Sequence, residues 1–161
     1  MNEQANHLIE RDHGQTPQEL LDSTLLKVTN LLSELYPDFL TFGDGSFTIS
    51  HGSTQVMIIV RPYTQTETCV ECISHVVVGA KITEELTRFL LRKNAELHFG
   101  AFGLLFDDTI IFSHSITGTN MDPNELATTL NSVGIIADHY DDIIVDLAGG
   151  KRAIDVTDED N

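Results

Sequence analysis

The chain has 161 residues, 41% of them hydrophobic, and a formal net charge of −16 from 9 Lys+Arg against 25 Asp+Glu. That length suffices for one domain with a sizeable core, and no apolar run approaches the roughly 20 residues that span a bilayer. The negative field repels phosphate backbones and anionic lipid, and the basic clusters Arg88/Arg92/Lys93 and Lys151/Arg152 are small, which argues against nucleic-acid and membrane partners.

The opening MNEQANHLIERDHGQ has no basic stretch followed by an apolar one, so it does not read as a secretory signal, and a cytoplasmic protein is expected. Residues 1–15 are polar and unpatterned and are expected to be a disordered segment. Residues 16–150 read as one domain and 151–161 as a mobile acidic tail. The first helix is expected to open at Thr16-Pro17-Gln18-Glu19, with Thr16 as cap, Pro17 at the first position and Glu19 closing a capping box. Leu21, Leu25, Val28, Leu32 and Leu35 then recur at steps of four and three, one apolar stripe that stops at Tyr36-Pro37.

From Asp38 to Ala80 the period changes to two. FLTFG and SFTISHG flank a turn at Asp44-Gly45, TQVMIIVRPY follows, and TCVECISHVVVGA comes after the polar TQTET loop. A second helix is predicted from Thr83 through Leu86, Phe89, Leu90 and Leu91, ending at Lys93-Asn94. Met121-Asp122-Pro123-Asn124-Glu125 starts a third, with Leu126, Leu130, Val133, Ala137, Tyr140, Ile144 and Leu147 along its stripe and Gly149-Gly150 at its end. Asp138, His139, Asp141, Asp142 and Asp146 fall largely off that stripe, on what reads as a solvated acidic face. The class is α+β: a mostly antiparallel sheet with flanking helices, in the order α-β-β-β(-β)-α-β-β-α.

Between the last two helices lies LHFGAFGLLFDDTIIFSHSITG, read as a hairpin around Asp107-Asp108. A two-residue loop puts Phe106 opposite Thr109 and fixes the register. One face then carries Phe99, Ala101, Gly103, Leu105, Ile110, Phe112, His114 and Ile116, and the other Phe102, Leu104, Phe106, Ile111, Ser113 and Ser115. A hairpin greasy on both faces needs a core on one side and a second partner on the other. Phe102, Leu104, Phe106 and Ile111 are therefore the candidate binding residues, with Met57 and Ile59 if their strand is adjacent.

Candidates for chemistry are weaker. Cys69-Val-Glu-Cys72 is a CxxC inside a strand-like run, where residues three apart face opposite ways and cannot share a metal or a disulfide. His98 and His114 flank the hairpin and are candidate ligands for a metal or small molecule, with a carboxylate as third ligand. Asp138 and Asp142, four apart on a helix, are conceivable as a cation pair. No GxGxxG, Walker-type loop, HExxH or GxSxG is present, and no catalytic residue or cofactor is indicated.

FGAFGLLFDDTIIFSHSITGTNMDPNEL, followed by ADHYDDIIVDLAGGKRAID, resembles the YbjN family, and its cyanobacterial branch more than its enterobacterial one. The matching features are Asn94, the FGAF at 99–102, the FSHSITG at 112–118, the Asp-Pro-x-Glu-Leu helix start, Ala137-Asp138-x-Tyr140-Asp141 and Gly149-Gly150. They are dense from about Val60 to Asp155. The resemblance implies a fold similar to type III secretion chaperones of the Tir-chaperone class, often dimeric, with surfaces that bind extended peptide. It implies no enzymatic activity. The expected function is a non-enzymatic, chaperone-like or regulatory adaptor for a protein or peptide client, as a homodimer; the alternative is a small-ligand or metal-binding domain near His98/His114.

Overall fold

Three helices and seven strands follow one another in the expected α-β-β-β-β-α-β-β-α order, with one short strand added at the end, in a computed structural model that describes residues 16–156. The expected disordered segment 1–15 and residues 157–161 of the expected tail lie outside the described residues. The elements are α1 (Gln18–Leu35), β1 (Leu40–Thr41), β2 (Ser46–His51), β3 (Thr54–Pro62), β4 (Thr68–Val78), α2 (Glu84–Glu96), β5 (Ala101–Leu104), β6 (Ile110–Thr117), α3 (Pro123–Ala148) and β7 (Lys151–Arg152). A 3-10 turn, Ala153–Asp155, follows β7.

The strands form one antiparallel sheet in the order β1-β2-β3-β4-β6-β5, with β7 pairing the far end of β4. Alternation decides which side each residue takes. Phe47, Ile49, Val56, Ile58, Val70, Cys72 and Phe112 are buried beneath the helices, against Val28 and Leu32 of α1 and Leu126, Leu130, Val133, Ala137 and Ile144 of α3. The intervening residues of β3 and β4 face the other way and stay half-exposed.

The ends of the helices show which local signals hold. Asp122 and Glu125 form the full capping box of α3, with Pro123 in the first turn and Gly149 closing the helix. Thr83 caps α2 by accepting the Leu86 N–H at 3.2 Å. Thr16 does not cap α1. Its hydroxyl donates to the Thr64 carbonyl at 2.7 Å and accepts the Tyr63 N–H at 2.9 Å, so it pins the helix start to the β3–β4 loop. Asn94 does not end α2 either: the helix continues to Glu96, and Asn94 turns its side chain onto β5.

The β5–β6 hairpin differs from expectation by one residue. Leu105 and Thr109 close a three-residue loop, with Leu105 N–H donating to the Thr109 carbonyl at 3.0 Å and Asp108 N–H to the Leu105 carbonyl at 3.0 Å. Asp108 adopts φ 63°, and Asp107 Oδ1 accepts the Thr109 N–H at 3.0 Å. This is the longer loop in which a type I turn ends in a left-handed residue. Leu104 therefore pairs with Ile110 and Phe102 with Phe112. A one-residue slip exchanges the faces, and it moves Phe102 and Leu104 to the helix side while leaving Ile111 on the opposite side. Phe102 is a core residue, edge-on to Phe112 at 5.0 Å and to Tyr140 at 5.4 Å between ring centroids.

Candidate functional site

Among the described residues no α-helix covers the sheet's outer face. Register places its residues in rows across the strands: Thr48–Met57–Ile73–Ser113 in one, and Ser46–Ile59–Glu71–Ser115 in the next. Ile111 lies opposite His75 on β6 and completes the apolar centre formed by Met57, Ile59 and Ile73. These four side chains are half-buried, kept partly in water because nothing from the helical layer reaches them. Beyond Ile59, the Arg61 guanidinium is ion-paired with Glu71 on the neighbouring strand. Beyond Met57, the face opens into a cleft of about 340 Å³, with Ile73, His75, Gln55 and Thr48 on the sheet side and Ala153, Ile154 and Val156 opposite.

Of the six expected binding residues, Met57, Ile59 and Ile111 thus share one surface. β3 is not adjacent to the hairpin, since β4 lies between them, and Ile73 of β4 supplies the link that the sequence reading missed. Its signal was there: position 73 alternates with Cys72 and Ser74, which are buried. Phe102 leaves the set for the core.

Leu104 and Phe106 belong to a second apolar surface. Leu104 and Leu105 are exposed, and Phe106 at the turn tip is fully exposed. A groove of about 200 Å³ runs between α2 and β5 beside them, lined by Ile82, Leu86, Leu90, Leu91, Phe102 and Leu104. Its floor is set by Asn94, whose side chain accepts the Phe102 N–H at 2.7 Å and donates to the Phe102 carbonyl at 3.1 Å.

Of the α3 acids, Asp142 and Asp146 are exposed as expected, whereas Asp138 and Asp141 are tied to the β2–β3 turn. Asp138 accepts from the Ser53 N–H at 2.8 Å and from the Ser53 hydroxyl, and these hydrogen bonds hold its carboxyl below the ordinary range. Asp141 is buried at 2% exposure, contrary to the expectation from its position off the stripe, and burial pushes its carboxyl upward. Ser53 Oγ donates to it at 3.3 Å and the Asp142 N–H at 2.5 Å. The β2–β3 turn is what draws Asp141 inward. In the β3–β4 loop, Glu67 collects the Gly118 N–H at 3.1 Å, the Thr119 N–H at 2.9 Å and the Thr119 hydroxyl at 2.5 Å, which fastens that loop to the start of α3.

His98 is exposed on the α2–β5 connection. His114 lies half-buried on β6, edge-on to Phe99 at 6.0 Å, and burial lowers its pKa. Among the described residues no three His, Cys, Asp or Glu side chains are grouped to hold a metal ion. Cys69 and Cys72 lie on opposite sides of β4. Burial pushes the Cys72 thiol to about 12, which leaves it inert as a nucleophile. No helix among the described residues is long and apolar enough to cross a membrane.

Two solved structures share this architecture. The chain is similar to one in the ExsC–ExsE complex, with a TM-score of 0.59 and 16% identity, over 74% of this chain and 95% of that one. It is also similar to one in the HopA1–SchA chaperone–effector complex, with a TM-score of 0.57 and 12% identity, over 74% of this chain and 96% of that one. At these identities the likeness is one of fold. No curated protein matches the chain by sequence. Residues 19–156 match the model of the TY-Chap1 family, described as T3SS (YopN, CesT) and YbjN peptide-binding chaperone 1, so the chain belongs to that family.

Proposed function

We propose that the protein is a non-enzymatic, cytoplasmic peptide-binding chaperone that takes an extended client segment on the outer face of its sheet and acts as a homodimer. The observation that carries this reading is the apolar centre formed by Met57, Ile59, Ile73 and Ile111, which the helical layer does not cover. An extended peptide presents alternate side chains to one side, and a pleated sheet face offers seats at matching spacing. Each Leu-, Ile- or Met-sized residue buried there contributes about 1.5–3 kcal/mol. The high acidic charge keeps the exposed apolar surface soluble and favours clients with basic residues flanking the apolar ones. Family membership and the chaperone–effector assembly of a structural neighbour support a peptide client.

The second surface suits a second copy of the chain. Phe106 and Leu105 project from the turn beside the apolar α2–β5 groove, so that across a two-fold axis each copy's turn would seat against the other's groove. The test separates the two surfaces. Ile59→Asp/Ile111→Asp is expected to stay folded and dimeric while losing proteins that the wild type captures by crosslinking from native extract. Leu104→Asp/Phe106→Asp is expected to sediment as a monomer. Capture unchanged by the first pair sinks the client site; a mass unchanged by the second sinks the dimer. Capture that collapses with added salt assigns the client to the acidic surface instead.

A further inference from the structure

The end of the described chain occupies part of the outer face. Chain leaves α3 through Gly149 and Gly150, both at positive φ, and β7 pairs with β4 through Arg152 opposite Val77 and Lys151 opposite Val78. A Cβ at Gly150 would lie 2.5 Å from the Val78 carbonyl oxygen, so the close approach depends on glycine. The 3-10 turn then lies against β3 and β4, and Ala153, Ile154 and Val156 form the wall of the cleft facing Met57, Ile73 and His75.

This seating is loose. Ile154 remains 46% exposed, and about 340 Å³ stays open between the turn and the sheet. Register pairing with β4 and an Arg152–Asp142 ion pair at 3.8 Å tie the segment to the body of the fold, while the Arg152–Asp155 contacts at 2.7 and 3.1 Å lie within the segment itself. Surface pairs of this kind are screened by water and salt and hold weakly. The segment nevertheless places two aliphatic side chains, Ile154 of the 3-10 turn and Val156 just after it, against the cleft.

We propose that Lys151–Val156 is a displaceable strap, a resident stand-in for client that covers the Met57–Ile73 end of the docking face and that an incoming segment must dislodge. The inference rests on the client reading for its purpose, but the strap itself is testable without any client. As an intramolecular competitor it acts at an effective concentration on the order of millimolar, so it screens out weak ligands and yields to strong ones.

The experiment uses full-length 15N-labelled protein, wild type and Arg152→Asp/Ile154→Asp/Val156→Asp, with a capped synthetic peptide of residues 150–156 as probe. In the triple variant the amides of Met57, Ile73, Val77 and Val78 are expected to shift while the rest of the sheet does not. Adding the peptide is expected to return them toward wild-type positions, with apparent affinity at least about tenfold weaker for the wild type, where the tethered strap competes. Arg152→Ala, which removes the side-chain ion pairs and leaves the backbone pairing with β4, is expected to fall between the two and serves if the triple variant does not fold. Unshifted amides in the variants, or equal peptide binding by variant and wild type, overturns the strap. Neither readout contains a client, so loss of the strap and loss of the client site are told apart by the Ile59/Ile111 capture.

Discussion

Asn94 closes the edge of the sheet at Phe102: one side chain meets both backbone groups of one residue, at 2.7 and 3.1 Å. Phe102 and Phe112 face each other on neighbouring strands, and the Phe102 N–H and carbonyl point away from β6, toward α2. Without Asn94 that rung has no protein partner next to an apolar groove. Replacing Asn94 with Ala is expected to cost about 1–2 kcal/mol, the range for a part-buried polar pair left unmatched. Urea unfolding checks it through a lower midpoint at unchanged slope. Asn94→Asp keeps the acceptor but sets a second acceptor against the Phe102 carbonyl, and is expected to cost at least as much.

Phe102 and Ile111 separate the two faces experimentally. Phe102 is 7% exposed among Phe112 and Tyr140, so Phe102→Asp buries a charge without a counter-ion and is expected to abolish the thermal transition or lower it drastically. Ile111 is half-exposed on the outer face, and Ile111→Asp is expected to change stability by less than about 1.5 kcal/mol. Circular dichroism melts of both variants decide it. Equal effects would mean that the pair shares a face, as the two-residue loop implies.

That loop explains how far the sequence could be read. Helices and strands were legible because their periods are long: the α3 stripe and the capping box at Asp122 and Glu125 agree with the structure, as do the strands of the meander. The hairpin register was not, because it hangs on one residue. Asp108 adopting φ 63° adds a loop position and reverses every side of β5. Asp-Asp carries no glycine to announce that conformation. The candidate residues divided accordingly: strand alternation put Met57, Ile59 and Ile111 on the outer face, while Phe102 lies in the core. Contacts between distant segments left no periodic trace. Examples are Thr16 on the β3–β4 loop, Asp138 on Ser53 and Asn94 on Phe102.

Gly134 sits in the middle of α3 with the His51 ring packed against it. A methyl there would lie 2.5 Å from His51 Cγ and 2.8 Å from His51 Cβ. Gly→Ala inside a helix ordinarily gains about 1 kcal/mol, but overpacking costs about 1–3 kcal/mol. Gly134→Ala is therefore expected to lower Tm. His51 also has a buried Nδ1 with no hydrogen-bond partner, so the ring itself contributes little that a smaller residue would lose. Adding His51→Ala is expected to recover part of the Gly134→Ala loss, and a double-mutant cycle measures the coupling. Additive effects would show that the two positions do not meet.

Glu67 gives the fold an acid limit. Burial works against its charge, but hydrogen bonds from the Thr119 hydroxyl and N–H, and from the Thr68 and Gly118 N–H groups, outweigh it and hold the carboxyl below the ordinary glutamate range. A carboxyl depressed in the folded state binds its proton more tightly when unfolded, so its contribution is complete above the unfolded value. It is lost as pH falls through the lower folded one. Glu67→Gln keeps the shape and one carbonyl oxygen for the Thr68, Gly118 and Thr119 amides, but removes the charge and sets an NH2 where Oε2 accepts the Thr119 hydroxyl. At pH 7 the variant is expected to be less stable by about 1–2 kcal/mol, within the range for hydrogen bonds to a charged group at a partly exposed site. The gap between wild type and variant is expected to narrow steadily below about pH 4.5 as the wild-type carboxylate protonates. Urea midpoints measured from pH 7 to pH 3 test this directly. A gap that stays constant with pH would place the lost stability in packing rather than in the charge, and the loop would then be held by shape alone.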